Sequence, residues 1–218
     1  MKRISKENRK FSNFSFSKEK KIKNKENFDL KEQYKKSWSY ILESKYFIFS
    51  IVIIFLLVAL IGYFIKAPDF LSEAIINYLK EIETMTHGFS QADWMGFIFW
   101  NNLVSSFLGL ILGLIFGIYS FIGAVANGYL LGFVANLAVS EQGISSLWRL
   151  LPHGIFELPA IFISLGMGLK LGTFLFQKKK LISFKYYLLN SLRVFFYIIM
   201  PLLIIAAVIE GSLIAFFS

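Results

Sequence analysis

The stretch YFIFSIVIIFLLVALIGYFI, residues 46–65, decides the fold class, because it carries no charge between Lys45 and Lys66. A helix needs about 20 mostly apolar residues to cross the hydrocarbon core of a bilayer. The composition of the whole chain is also strongly apolar, since 56% of its 218 residues are hydrophobic and 18% are aromatic. Soluble domains rarely reach such a composition. The sequence therefore predicts an integral membrane protein.

Four further stretches are long and apolar enough to be spanning helices. They are predicted at 97–117, 121–139, 152–176 and 193–217, and Pro201 interrupts the last. Only a few residues separate the second span from the third, so these two should form a tight hairpin that either crosses twice or dips in and returns. The predicted fold is an all-α, polytopic bundle of about five transmembrane helices.

The positive charge is concentrated in the first 45 residues, which hold 14 Lys or Arg and 6 Asp or Glu and so carry +8 of the net +9. Basic flanks stay on the cytoplasmic side. The loop 66–96 is acidic, with two Lys against five Asp or Glu, whereas Lys178, Lys179, Lys180 and Lys185 lie between the fourth and fifth spans. We therefore expect a plasma-membrane protein with a cytoplasmic N-terminus and an external C-terminus.

Two regions are expected, a cytoplasmic basic tail at 1–45 and a transmembrane domain at 46–218. Residues 1–27 are rich in Lys, Asn and Ser and are predicted to be disordered. After them, Leu30, Tyr34 and Trp38 recur at helical spacing among lysines, which indicates an amphipathic helix on the inner leaflet or a solvated lead-in to the first span. Nucleic-acid binding is not expected, because any short basic tail would show the same charge.

The external loop also contains apolar residues at helical spacing. Leu71, Ile75, Tyr78, Leu79, Ile82 and Met85 follow the start signals Pro68 and Asp69. The pattern predicts a short amphipathic helix that lies on the outer membrane surface or docks an extracytoplasmic partner.

Glycines recur four residues apart on three spans. They are Gly109, Gly113 and Gly117 on the second, Gly128 and Gly132 on the third, and Gly168 and Gly172 on the fourth. Small residues at this spacing let another helix backbone approach closely. The spacing predicts tight helix packing, with the partner helix in the same chain or in another copy.

Polar residues inside the spans are expected to share the outer half of the membrane. Among them, His153 and Glu157 are four residues apart and can touch on one helix face. Pro152 suits a first helical turn, and Pro159 leaves a backbone carbonyl near Ile155 without its usual donor. The others in the outer group are Asn101, Asn102, Asn136, Arg149 and Glu210, with Asn127 deeper.

Three interpretations of this polar group are possible. A metal site is poorly supported, since His87 in the external loop is the one other histidine. A proton or ion pathway would use Glu157 and Glu210 as carriers, but no acidic residues continue it through the inner half. In the third interpretation, Arg149 or His153 pairs with a glutamate and the asparagines bond across helices, which holds the bundle together.

These residues resemble the stage II sporulation protein M family of multi-pass membrane proteins. The resemblance covers about residues 97–211 and rests on NN at 101–102, NGYLLG at 127–132, LPHGIFELPA at 151–160 and IEG at 209–211. Of these four pieces, LPHGIFELPA is the one most specific to the family. The matched positions are Asn101, Asn102, Asn127, Gly128, Pro152, His153, Gly154, Glu157, Pro159 and Glu210. The lysine-rich tail lies outside the family's motif.

The resemblance implies a polytopic membrane protein that works in a complex. The family's named member acts with other membrane proteins to remodel the septal cell wall during engulfment in endospore-forming bacteria, and similar proteins occur in organisms that never sporulate. No catalytic residues come with the resemblance, and without a cysteine in the chain thiol chemistry is excluded. We expect a non-enzymatic component or scaffold with no cofactor or metal, in contact with the bilayer and with membrane-protein partners or further copies of itself. A small channel or transporter that uses the outer polar group is the alternative.

Overall fold

The computed structural model describes the backbone of residues 29–217, with the side chains of that range except those of 148–153, 215 and 217. The predicted disordered segment 1–27 lies outside the described residues. Internal contacts separate the chain into two units, divided between Gln33 and Tyr34. All of the membrane-length helices belong to the second unit.

Every regular element in residues 29–217 is helical, as the apolar composition and the helical spacing predict. The α-helices are α1 (Leu30–Glu43), α2 (Lys45–Phe64), α3 (Asp69–Thr86), α4 (Gln91–Ile111), α5 (Ile118–Gln142), α6 (Leu151–Gly172), α7 (Lys180–Val194) and α8 (Met200–Phe217). Short 3-10 turns at 112–114, 144–150 and 173–176 extend or join them. Five segments of this range are long and apolar enough to cross a membrane, which confirms a polytopic transmembrane bundle: Lys45–Phe64, Gln91–Leu114, Ile118–Gln142, Gly154–Phe176 and Lys180–Ile214.

The turn between α4 and α5 is tight, because two consecutive residues adopt positive φ angles, Phe116 at 54° and Gly117 at 73°. Each of the two helices is long enough to cross by itself, which favours two crossings over a re-entrant loop. The two helices nevertheless make few direct contacts with each other, because each of them packs mainly against other helices, including α6.

The last span begins earlier than the sequence pattern predicts. Instead of starting near Arg193, the helix runs from Lys180 and passes through a π-helical turn at Phe195–Ile199 before α8. Pro201 follows directly and has no N–H to bond the preceding turn, and a widened turn is one way to accommodate such a gap. The proline therefore modifies the last helix without ending it.

Helix α6 is the centre of the bundle. Half of its membrane-length window is buried, against 17% to 33% in the other four, and it packs against α2, α4, α5 and α8. Its Met167 and Leu171 are completely buried in a cluster with Leu110 of α4 and Leu203 of α8. The fold is thus built around one half-buried helix with four more exposed neighbours.

The helix contacts fix which ends of the helices lie together. Gly128 meets Phe55 and Gly132 meets Ala59, so α2 and α5 run parallel. Ile48 meets Gly166 and Phe55 packs edge-on against Phe162, so α2 and α6 run antiparallel. We call the end that contains Ser44, Lys170 and Lys180 the tail end, and the end that contains Gln91 and Gly154 the motif end.

Candidate functional site: a motif cavity and a lysine network

A cavity of about 640 Å³ lies at the motif end between α5, α6 and the 144–150 turn. Its polar side chains are Asn127 and Glu157, and its other lining residues are apolar or glycine. Gly154 also lines it, whereas Pro159 is exposed. We call this the motif cavity. It brings together two of the polar positions that the sequence singled out.

A second cavity of about 320 Å³ continues toward the tail end and shares Asn127 and Ile161 with the motif cavity. Asn127 donates from Nδ2 to the carbonyl oxygen of Gly123 at 2.8 Å, within its own helix. The motif cavity and this second cavity therefore meet at a polar residue near the middle of α5.

Four of the other predicted polar residues are not part of the cavity lining: Asn101, Asn102, Asn136 and Glu210. Asn101 donates to Asn102 at 3.4 Å, again within one helix. Glu210 is half-buried on α8, and the next residue, Gly211, packs against Met95 of α4. The side chains of Arg149, Pro152 and His153 lie outside the described set, so the predicted pairing of Arg149 or His153 with a glutamate is untested.

Serines make the cross-helix hydrogen bonds that the sequence analysis assigned to asparagines. Ser164 of α6 donates to the carbonyl oxygen of Ser106 at 2.6 Å, and Ser120 of α5 donates to that of Gly109 at 2.8 Å. A hydroxyl is short, so it can bond a neighbouring backbone only where two helices lie close together. These bonds accordingly occur beside the glycines.

The seven spaced glycines lie at two interfaces inside the chain. On the first, a Cβ added to Gly168 of α6 would lie 2.5 Å from the carbonyl oxygen of Gly109 on α4, and one added to Gly172 would lie 2.5 Å from that of Gly113 in the 112–114 turn. On the second, a Cβ on Gly128 of α5 would lie 2.6 Å from the carbonyl oxygen of Phe55, and one on Gly132 would collide with Ala59 of α2. On the facing side, a Cβ on Gly113 would collide with the Gly168 backbone of α6, whereas Cβ atoms on Gly109 and Gly117 would meet the side chains of Leu165 and Leu169. The close partners are therefore helices of the same chain.

A buried lysine at the tail end is a feature that the sequence analysis missed. Lys170 of α6 is 4% exposed, and its ammonium donates to Glu43 Oε1 at 2.8 Å and to Ser44 Oγ at 3.2 Å. It also lies 4.2 Å from the ring centroid of Tyr40 and 5.3 Å from that of Tyr187. Two ring faces and a carboxylate replace the water that an ammonium normally holds.

Tyrosines of α1 and α7 complete this arrangement. Tyr186 donates its hydroxyl to Glu43 Oε2 at 2.8 Å, and Tyr40 donates to the carbonyl oxygen of Tyr187 at 3.4 Å. We call Tyr40, Glu43, Ser44, Lys170, Tyr186 and Tyr187 the lysine network. It joins α1 and α7 to the central helix α6.

The electrostatics of the network favour a charged carboxylate. Partial burial alone would raise the pKa of Glu43, but hydrogen bonds from Lys170 and Tyr186 and the lysine charge bring that pKa below its ordinary value. Burial raises the pKa of Tyr40 far above its usual range, so this phenol stays neutral. With its ammonium in contact with Glu43, Ser44 and two aromatic rings, Lys170 links α6 to α1 and α7.

The sequence did contain a signal for this network. Lys170 interrupts the apolar run GMGLKLG inside the fourth span, and a charge within a span normally needs a partner. Glu43 is the last acidic residue before the first span. The spacing along the chain could not have paired them, because 127 positions separate the two.

No group of three or more His, Cys, Asp or Glu with metal-binding geometry occurs among the described residues. The side chain of His153 lies outside those residues, so the metal interpretation of its motif stays untested.

Comparisons with known proteins agree with this architecture. Residues 51–213 match the model of the family described as stage II sporulation protein M. The chain is 32% identical over 208 residues to the uncharacterized protein MJ0706 of Methanocaldococcus jannaschii. The matched region covers 87% of this chain and 89% of that protein. A second uncharacterized protein of that organism, MJ0793, is 36% identical over 73 residues, or 33% of this chain and 41% of its own length. No solved structure matches. The family match and the near full-length relative show that the chain belongs to the stage II sporulation protein M family.

Proposed function

We propose that this protein is a non-enzymatic component of a membrane assembly and that α3 is the surface on which a partner docks. The single observation that carries the proposal is the exposure of α3. Thr86 is the one buried residue described on this 18-residue helix, while Tyr78 is 46% and Met85 is 53% exposed.

The charge of α3 favours a protein partner over the membrane surface. Helices that lie on a bilayer usually carry Lys and Arg on the polar face, which anionic lipids attract. This helix has one basic residue, Lys80, and four acidic residues, which are Asp69, Glu73, Glu81 and Glu83. Anionic head groups repel such a face, so the apolar side is better covered by another protein.

The interior of the bundle supports the same proposal. The seven spaced glycines are already used between helices of this chain. Contacts to a partner then fall on surfaces outside the bundle, where α3 lies. We place the N-terminus and the tail end in the cytoplasm and α3 outside the cell, because the tail and the segment 178–185 are basic and the 66–96 loop is acidic.

The proposal is tested by purification from native membranes in a mild detergent, with mass spectrometry of the proteins that accompany the chain. We expect another membrane protein in a fixed ratio. Tyr78→Ser combined with Met85→Ser should lower that ratio severalfold at an unchanged membrane level of the chain. Asn77→Ser is the matched control, because this exposed polar residue lies about 80–100° around α3 from Met85 and Tyr78. An unchanged ratio in the double variant would contradict docking on α3.

A small channel or transporter is the second candidate, and the motif cavity with Asn127 and Glu157 is what favours it. Proton and ion flux into liposomes that contain the purified chain tests this alternative. If Glu157→Gln abolished a flux while the fold and the partners stayed intact, the assembly role would give way to transport.

A further inference from the structure

The outward face of α7 at the tail end is positively charged and concave. Its residues Leu181, Ile182, Lys185, Tyr186, Leu189, Asn190 and Arg193 line a surface concavity of about 520 Å³. Between Gln177 and Val194 the sequence has five Lys or Arg and no Asp or Glu. The face therefore carries a net positive charge where the last span begins.

Local hydrogen bonds orient the polar side chains of this face. Asn190 donates from Nδ2 to the carbonyl oxygen of Tyr186 at 2.8 Å, and its Oδ1 accepts from Arg193 Nη1. Glu43, the nearby carboxylate, is already paired with Lys170 and Tyr186. The positive charge of Lys185 has no carboxylate partner within residues 29–217.

The surroundings of these cations are apolar. Leu181 is 82% exposed, Ile182 66% and Phe196 53%. Lys185 and Arg193 lie eight residues apart, about 12 Å along a helix that rises 1.5 Å per residue. Cations at two depths with exposed apolar side chains beside them match a molecule that has both an anionic head group and hydrocarbon chains.

We propose that this face of α7 binds an anionic phospholipid of the tail-end leaflet. Lys185 contacts the phosphate. The Arg193 guanidinium, which reaches back to Asn190, contacts the head group from the deeper side, and the acyl chains lie beyond it along Phe196. Basic recesses at the membrane boundary of a helical bundle bind anionic lipid head groups by this combination of charge and apolar contact. The site is independent of the docking surface on α3 and lies at the opposite end of the bundle.

Native mass spectrometry of the delipidated full-length protein, titrated with phosphatidylglycerol or with phosphatidylcholine of the same chains, tests the proposal. We expect the wild type to bind phosphatidylglycerol at least tenfold more tightly. Each basic residue near an anionic surface contributes a factor of about five. Lys185→Gln with Arg193→Gln should then lower phosphatidylglycerol affinity about 25-fold and leave phosphatidylcholine affinity unchanged.

Two further variants keep the test decisive. Lys80→Gln, on α3 at the motif end, should bind as the wild type does. If the double variant fails to fold, Lys185→Gln alone should lower the affinity about fivefold. Equal wild-type affinity for the two lipids, or a phosphatidylglycerol affinity that does not respond to Lys185→Gln, would overturn the site.

Discussion

Replacing Glu43 and replacing Lys170 should lower the stability of the folded protein by different amounts, although both changes break the same ion pair. The Lys170 side chain is 5% exposed, whereas that of Glu43 is 45% exposed. Glu43→Gln leaves a buried ammonium without its carboxylate, but Lys170→Met leaves a carboxylate that water reaches. Removing one partner of a fully buried pair costs about 3–5 kcal/mol.

The half-exposed position of Glu43 reduces that figure, because water screens one side of the pair. We expect Glu43→Gln to cost about 2 kcal/mol, which is roughly a 30-fold shift of the unfolding equilibrium. Lys170→Met should cost less than about 1 kcal/mol, because methionine nearly fills the lysine's volume and Glu43 stays hydrated. The double variant should be close to Lys170→Met alone.

Unfolding in mixed lipid–detergent micelles by added denaturing detergent, followed by circular dichroism, measures these differences. Glu141→Gln, an exposed acid at the end of α5, is the matched control and should change nothing. The reasoning is refuted if Lys170→Met proves more destabilising than Glu43→Gln. It is equally refuted if the double variant costs the sum of the two single variants.

Three further predictions concern packing, pH and orientation. Gly132→Ala should destabilise the bundle by about 1–3 kcal/mol, because its methyl group meets a backbone carbonyl of α2, while Gly96→Ala, which meets open space, should be neutral or stabilising in the same unfolding assay. Because the pKa of Glu43 is lowered in the folded protein, its stabilisation should be complete above the ordinary carboxyl pKa of about 4.3 and disappear as the pH falls through the lower folded value. Glu43→Gln should remove that dependence from the pH profile of the unfolding midpoint. The chain has no cysteine, so a membrane-impermeant maleimide should label Asn77→Cys on intact cells and Ser39→Cys only after permeabilisation, and the reverse result would contradict the proposed orientation.

The spans could be predicted because crossing a bilayer imposes length and apolarity on each segment separately. The run at residues 46–65 meets that requirement without reference to any other part of the chain. Spacing alone likewise marked the glycines, since residues four apart share a helix face. Which helix each face meets depends on the whole bundle. For this reason the insertion of α6 against both α4 and α5 was not foreseen.

The polar residues were harder to predict, because their surroundings depend on contacts between distant parts of the chain. The motif LPHGIFELPA indicated a special site, and the structure places Glu157 of that motif with Asn127 on one cavity. One ion pair joins Lys170 to a glutamate 127 positions earlier. Only the packing of α1 on α6 brings those charges together.

The mass of the particle that the protein forms in its own membrane tests the assembly role most directly. Extraction with a styrene–maleic acid copolymer, followed by native mass spectrometry, gives that mass without displacing neighbouring proteins. We predict a mass that exceeds the chain's 25.1 kDa by that of at least one other membrane protein. A whole multiple of 25.1 kDa would make a second copy the partner, and a lone 25.1 kDa chain would contradict the proposal.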